Sequence, residues 1–316
     1  MSELCTLTAL GALACFTALL ATGAARVVLA LLKRRREPTR TEALLLALLA
    51  PLVLLTALMA SQIPLSESLH HQLHHWIEGI TISVQAHQLL HSANILLLLL
   101  LCGRGIYTLL WWGRVQASTR LLKKLASPEV SLSGVVVRVL AMEKPRCFTV
   151  GGVRPTIFVS EGMLAVLPEA QQDAMLAHEQ AHCSHKDSCW TLALHTFYNL
   201  FFLPGSSALL TAWEEAAERA CDLVAAKQIG SACTVAEALV RVGSLALVRD
   251  SGPLGSLAFG AKPGHLEARV NALLAYDPTQ LPPTARPLGV VAGLILVALL
   301  IVTPALAHLA ELFAYH

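Results

Sequence analysis

Long uncharged stretches along the chain predict membrane-spanning helices. A helix needs about 20 predominantly apolar residues to cross a bilayer. The first such stretch has 22 uncharged residues between Glu3 and Arg26, and its apolar pattern continues to Leu32. We predict three spans, at about 4–32, 43–60 and 91–112, and a fourth at 288–310.

Arg104 interrupts the third predicted span. A cation at this depth either pairs with polar groups inside the helical bundle or extends its side chain to the membrane surface. We expect Arg104 to extend to the surface.

The distribution of Lys and Arg predicts how the chain is oriented. The connection between the first two spans carries five of them, the loop 61–92 carries none, and residues 114–286 carry 16. Cytoplasmic loops of membrane proteins are enriched in these residues. We therefore predict a multi-pass protein of the inner (cytoplasmic) membrane, with the N-terminus, loop 61–92 and the tail 311–316 outside.

Segment 114–287 has the pattern of a water-facing α+β domain. Short runs rich in β-branched residues predict strands at Val135–Leu140, Arg146–Val150 and Thr156–Ser160, and we expect them to form a small antiparallel sheet. From Pro168 onward the pattern is helical.

Composition supports this plan and excludes other classes. Hydrophobic residues make up 55% of the chain and charged residues 14%, whereas soluble domains are about 25% charged. Intrinsic disorder is excluded because such chains are polar and charge-rich. A net charge of +2 gives no basic field for nucleic acid.

One short motif contains residues that are suited to bind a metal ion. His178-Glu179-Gln180-Ala181-His182 is an HExxH sequence inside a predicted helix. Two imidazoles at i and i+4 share a helix face and can bind one Zn²⁺, and the intervening Glu179 is then placed as general base.

A pair of acidic residues further along the chain supplies a candidate for the third zinc ligand. Catalytic zinc sites use three protein ligands and keep one position open. Glu218 and Asp222 are again at i and i+4, in a helix whose following residues are apolar. We predict that Glu218 binds zinc and that Asp222 accepts the second ring N–H of a ligand histidine.

The stretch 188–213 between these motifs has 26 uncharged residues. A single crossing would separate His178 and His182 from Glu218, so that one zinc could not bind all three. Pro204-Gly205 divides the stretch into halves too short to cross. We therefore predict a re-entrant helical hairpin that dips into the membrane and returns.

These motifs resemble the membrane metallopeptidase part of the BlaR/MecR antirepressor family. The resemblance rests on the HExxH motif with Asp187 five residues on, on Glu218-x-x-Cys221-Asp222 and on the late segment Leu266–Val270. It implies a gluzincin-type fold with the zinc ligands and base named above. The related HtpX/Ste24 peptidases usually have alanine at the position of Cys221, so we rank this resemblance second. By analogy with them, His265 is a candidate catalytic donor to the tetrahedral oxyanion.

The chain departs from the antibiotic receptors of that family. We expect no penicillin-binding sensor after the fourth span. The outer loop instead holds a histidine cluster, which includes His70, His71, His74 and His75. The cluster is either an external metal site or the polar face of an interfacial helix, and we favour the helix.

The sequence as a whole predicts a membrane-embedded zinc endopeptidase with its active site at the cytoplasmic face. The expected partners are the lipid bilayer and a protein substrate, which the resemblance suggests is a cytosolic transcriptional repressor. Direct nucleic-acid binding is not expected. Membrane-protein quality control is a second enzymatic alternative, and metal sensing or transport through the outer histidines is an alternative of another class.

Overall fold

The computed structural model describes residues 2–60, 84–152, 154–201, 203–249 and 263–276. The predicted fourth span and the outer histidines at positions 70–75 lie outside the described residues. The chain divides into two compact units. The first includes residues 1–110 and 194–212, and the second includes 111–193 and 213–284.

The first unit contains two apolar helices packed on each other, α1 (Ser2–Arg35) and α2 (Arg40–Ala60). A capping box begins α2. The backbone N–H of Thr39 donates to Glu42 Oε2 at 2.9 Å, and the Glu42 N–H reaches back to Thr39 Oγ1 at 3.4 Å. Reciprocal bonds of this kind satisfy first-turn N–H groups that have no partner within the helix.

A third long helix, α3 (Val84–Leu125), follows where the third span was predicted. Within the described parts of the chain, one helical segment, Phe16–Arg35, is long and apolar enough by composition to cross a bilayer. The four-span arrangement and its orientation remain predictions.

The expected surface position of Arg104 is wrong. Its Nε donates to the backbone oxygen of Asn199, and its guanidinium carbon lies 5.2 Å from the centroid of the Tyr107 ring. The cause is the end of a neighbouring helix: the last turn of a helix leaves carbonyl oxygens without an intrahelical donor. Arg104 supplies a donor inside the unit.

The second unit begins with a four-stranded sheet of β1 (Ala126–Leu132), β2 (Val135–Leu140), β3 (Cys147–Val150) and β4 (Thr156–Ser160). The strand order is β1-β2-β4-β3. The expectation of an antiparallel sheet is wrong for one pair, because β2 and β4 run parallel. Successive residues Ile157, Phe158 and Val159 are all buried. A strand that is buried on both faces takes a central position in a sheet, as β4 does between β2 and β3.

Helices follow this sheet in the chain. They are α4 (Glu161–Val166), α5 (Glu169–His185), α6 (Asp187–Phe201), α7 (Ser206–Ile229), α8 (Ala232–Arg249) and α9 (Pro263–Leu274). Helix α5 contacts β3, β4 and α8. Its buried Met175 belongs to one core with Val159 of the sheet and with Leu239 and Leu273 of the later helices. The helix that carries HExxH is therefore packed between the sheet and the later helices.

The predicted break at Pro204-Gly205 coincides with the turn between α6 and α7. Gly205 has a φ of +80°, a conformation that costs glycine little. Beyond the turn the chain returns beside α6, since Trp213 Nε1 donates to Thr191 Oγ1 at 3.4 Å. The dip into a membrane remains a prediction.

Candidate metal and catalytic site

Helix α5 places three residues of the HExxH motif on its buried side. His178, Glu179 and His182 are each at most 9% exposed. The helix ends at Lys186, whose φ of 56° is left-handed. This turn reverses the chain, so that Asp187, the first residue of α6, comes back beside His182.

The structure brings His178, His182 and Glu218 together. The two histidine Nε2 atoms lie 3.1 Å apart. Glu218 Oε2 lies 3.5 Å from Nε2 of His178, and Glu218 Oε1 lies 3.4 Å from Nε2 of His182. Three donors from two helices therefore face one point.

This donor set fits a zinc ion. Zn²⁺ binds imidazole nitrogen and carboxylate oxygen at about 2.0–2.2 Å, so two donors of one tetrahedral ion lie about 3.3 Å apart. The three separations between these donors, 3.1, 3.4 and 3.5 Å, lie on both sides of that value. These residues would hold the metal with little rearrangement.

Each histidine is oriented by a carboxylate on its other ring nitrogen. Asp222 Oδ1 lies 2.9 Å from Nδ1 of His178, which is the contact expected for Asp222. Asp187 Oδ2 lies 2.9 Å from Nδ1 of His182. Such partners fix the tautomer of a histidine and would direct the Nε2 atoms toward a metal bound between them.

A buried arginine from α9 neutralises Glu218 and Asp222 of α7. Arg269 is 3% exposed. Its Nη2 lies 2.6 Å from Asp222 Oδ1, and its Nη1 lies 2.8 Å from Glu218 Oε2. A buried carboxylate needs such a partner, because burial without one strongly disfavours the charged form.

The charges of this cluster shift its acid–base equilibria. Burial raises the pKa of Glu218, but the positive charge of Arg269 and hydrogen bonds from both histidines outweigh it and hold that pKa well below its ordinary value. Burial lowers the pKa of His182, yet hydrogen bonds to Asp187, Cys221 and Glu218 raise it well above the ordinary value. The pKa of His178 is raised in the same way, chiefly by Asp222 and then Glu218.

Glu179 is held by a residue of the sheet. Thr149 Oγ1, on strand β3, donates to Glu179 Oε2 at 2.7 Å. Both residues line a small cavity of about 10 Å³ together with His178, His182, Asp187, Ser188 and Glu218. A cavity of about this volume holds one water molecule. The Glu179 carboxylate therefore borders a water-sized space beside the three donors.

A second group of metal-binding side chains overlaps this one. Cys221 Sγ lies 3.4 Å from Nδ1 of His182 and donates to Asp187 Oδ2 at 3.5 Å. Cysteine binds metal as the thiolate. Burial raises the pKa of Cys221 to about 12, which opposes that form. The chemistry of the donors therefore favours the group formed by His178, His182 and Glu218.

Other expected site residues are not placed by the structure. The side chain of His265 lies outside the described residues, although its backbone begins α9. His70, His71, His74 and His75 also lie outside them.

Sequence reasoning missed the roles of Arg269 and Thr149. Arg269 belongs to the late segment that carried the family resemblance, which was the available signal. Nothing in the local pattern around Thr149 marks it.

Comparison with known proteins supports the same chemistry. Residues 114–250 match the model of peptidase family M48. The matched segment is similar to this metallopeptidase family, and it contains His178, His182 and Glu218. A search of curated proteins finds no match to the chain.

Proposed function

We propose that the protein is a membrane-embedded, zinc-dependent endopeptidase that hydrolyses peptide bonds at the cytoplasmic membrane face. One observation carries the proposal: two histidines and a glutamate converge within 3.5 Å of one another beside the Glu179 carboxylate. The M48 match over the same segment supports it.

The proposed mechanism assigns the proton transfers to Glu179. Bound zinc would polarise the scissile carbonyl and lower the pKa of a water molecule. Glu179 accepts the proton of the attacking water and later donates it to the leaving amine. Thr149 occupies Oε2 of Glu179, which leaves Oε1 for this exchange.

Strand β3 is proposed to align the substrate. In the described sheet β3 pairs with β4 on one side and forms the edge on the other. An extended peptide that adds to this edge gains backbone hydrogen bonds. Because Thr149 of β3 contacts Glu179, such a peptide would run beside the catalytic carboxylate.

The membrane position and the regulatory role extend this proposal. The apolar helical segment Phe16–Arg35 and the predicted hairpin 188–213 support membrane insertion. The Glu218-x-x-Cys221-Asp222 motif supports an antirepressor-like role with a cytosolic repressor as substrate. A winged-helix repressor encoded beside this gene would be the first substrate to test.

A chelation and substitution experiment tests the peptidase. The full-length protein is purified in neutral detergent and incubated with fluorescein-labelled casein, and its own fragmentation is followed by mass spectrometry. Cleavage by the wild type, its loss with 1,10-phenanthroline and its return with zinc support the proposal.

Glu179→Gln should keep zinc and lose cleavage. Glu169→Gln is the matched control, because Glu169 lies exposed in the first turn of the same helix. Undiminished cleavage by the Glu179→Gln protein would contradict the proposed role of Glu179 as general base.

A further inference from the structure

The first unit holds a cavity that the proposed peptidase does not use. Its volume is about 440 Å³, and it lies between α1 and α7. The residues of α1 that line it are Arg26, Leu29, Ala30 and Lys33. Those of α7 are Ser207, Ala208 and Thr211.

The lining combines cations, hydroxyl groups and apolar side chains. Arg26 and Lys33 are two helical turns apart on one face of α1, and Leu29 and Ala30 lie between them. Ser207 and Thr211 contribute hydroxyl groups one turn apart on α7. No carboxylate is among the described residues that line the cavity.

Arg26 lies against the turn between α6 and α7. A Cβ atom added at Gly205 would lie 2.6 Å from Arg26 Nη1. The guanidinium therefore rests on the backbone of a residue without a side chain. This contact directs the cation towards α7.

The position of Arg26 favours an anionic partner. Arg26 lies within Phe16–Arg35, the described segment that is apolar enough to cross a bilayer. A cation in such a helix is costly unless it is paired or reaches the interface. Guanidinium, ammonium and hydroxyl donors together match the oxygens of a phosphate.

We propose that this cavity binds the phosphate of an anionic phospholipid. Leu29, Ala30 and Ala208 give it an apolar lining that suits the glycerol and upper acyl chain of a lipid. The proposal rests on the membrane placement given under Proposed function, and it does not depend on peptide hydrolysis. A soluble phosphate shares the headgroup chemistry, and the experiment separates the two.

The test measures lipid binding by the full chain with Glu179→Gln as background, so that proteolysis plays no part. Alkaline carbonate extraction of membranes first reports membrane insertion independently. Native mass spectrometry in neutral detergent then compares phosphatidylglycerol with phosphatidylcholine, and glycerol phosphate and inorganic phosphate are the soluble probes.

The variant Arg26→Gln/Lys33→Gln should bind phosphatidylglycerol at least about tenfold more weakly, because two charge-assisted contacts are lost. The matched control is Arg34→Gln/Arg35→Gln. These residues are exposed at the same end of α1 and do not line the cavity, and their replacement removes the same charge. A second variant, Ser207→Ala/Thr211→Val, keeps both charges and should weaken binding by a smaller factor. Thermal unfolding checks that each variant is folded.

Stronger binding of phosphatidylglycerol than of phosphatidylcholine, lost in the cavity variant and kept in the control, supports the site. Equal binding of the two lipids, or equal loss in both double variants, would overturn it. Binding of glycerol phosphate or inorganic phosphate as tight as that of the lipid would replace the proposal with a soluble-anion site.

Discussion

The guanidinium of Arg269 donates two parallel hydrogen bonds to the carboxylate of Asp222, from Nε at 2.7 Å and from Nη2 at 2.6 Å. The two residues are 47 positions apart in the chain. The remaining Nη1 lies 2.8 Å from Glu218. Helix α9 therefore fixes Glu218 and Asp222 of α7 from outside the HExxH helix.

Removal of Arg269 should destabilise the metal-free protein. Arg269→Met leaves the buried Asp222 and the partly buried Glu218 without their cation, and breaking a buried pair in this way costs about 3–5 kcal/mol. Arg269→Lys should recover little of the lost free energy of unfolding, because an ammonium group cannot make the two parallel contacts to a carboxylate. Urea unfolding in detergent micelles with a chelator present measures the effect.

Arg241→Gln is the control for that measurement, since Arg241 lies exposed on α8. It should change the free energy of unfolding by less than about 0.5 kcal/mol. Equal effects at the two arginines would contradict the structural role of Arg269.

Zinc binding should strengthen as pH rises. In the metal-free protein the pKa values of His178 and His182 lie above their ordinary value of 6.5. Metal binds the neutral imidazole, so each proton that zinc displaces changes the affinity by up to about tenfold per pH unit. The pKa values of Glu218 and Asp222 are lowered, so these carboxylates stay ionised in the neutral range.

The same pKa shifts predict how pH changes the thermal stabilisation that zinc gives. Histidines with a raised folded pKa stabilise the metal-free protein fully below about pH 6.5, and this contribution is lost as pH rises through the folded pKa. The increase in melting temperature on adding zinc should therefore be larger at pH 8 than at pH 6. An increase that is equal at both pH values, or larger at pH 6, would show that zinc does not displace these protons.

Thr149 should affect catalysis without affecting metal binding. Thr149→Val removes the hydrogen bond to Glu179 and should lower kcat by about 10–100-fold, the usual effect of losing an orienting partner. Zinc content should stay at the wild-type level. Thr149→Ser keeps the hydroxyl and should retain most of the activity, and a serine variant as slow as the valine variant would point to packing instead.

Reporter fusions test the membrane topology. Reporters fused after Arg40 and Val130 should indicate a cytoplasmic position, and a reporter fused at His70 should indicate an external position. A fusion within 228–260 should agree with the one at Val130. An external signal there would mean that 188–213 crosses the membrane completely, which a shared zinc site does not allow.

Sequence reasoning succeeded where the signal was local. The i and i+4 spacing of His178 with His182, and of Glu218 with Asp222, predicted which side chains the helices bring together. It also placed the helix break at Pro204-Gly205, because proline and glycine act on the backbone at their own positions.

The failures involve contacts between distant parts of the chain. Burial of both faces of β4 indicates a central strand, but periodicity alone gives neither the neighbouring strand nor its direction. Arg104 finds its acceptor at Asn199, 95 residues away. Arg269 reaches Asp222 across 47 residues and Thr149 reaches Glu179 across 30, and only the folded structure brings these pairs together.

X-ray absorption at the zinc edge tests the central claim most directly. The full-length protein, loaded with one equivalent of zinc, should show two imidazoles and only nitrogen or oxygen neighbours at about 2.0–2.2 Å. Glu218→Gln should lose most of the metal, whereas Glu179→Gln should give the wild-type spectrum. A sulfur neighbour at about 2.3 Å would place the metal at Cys221 and contradict the account, as would full zinc retention by Glu218→Gln.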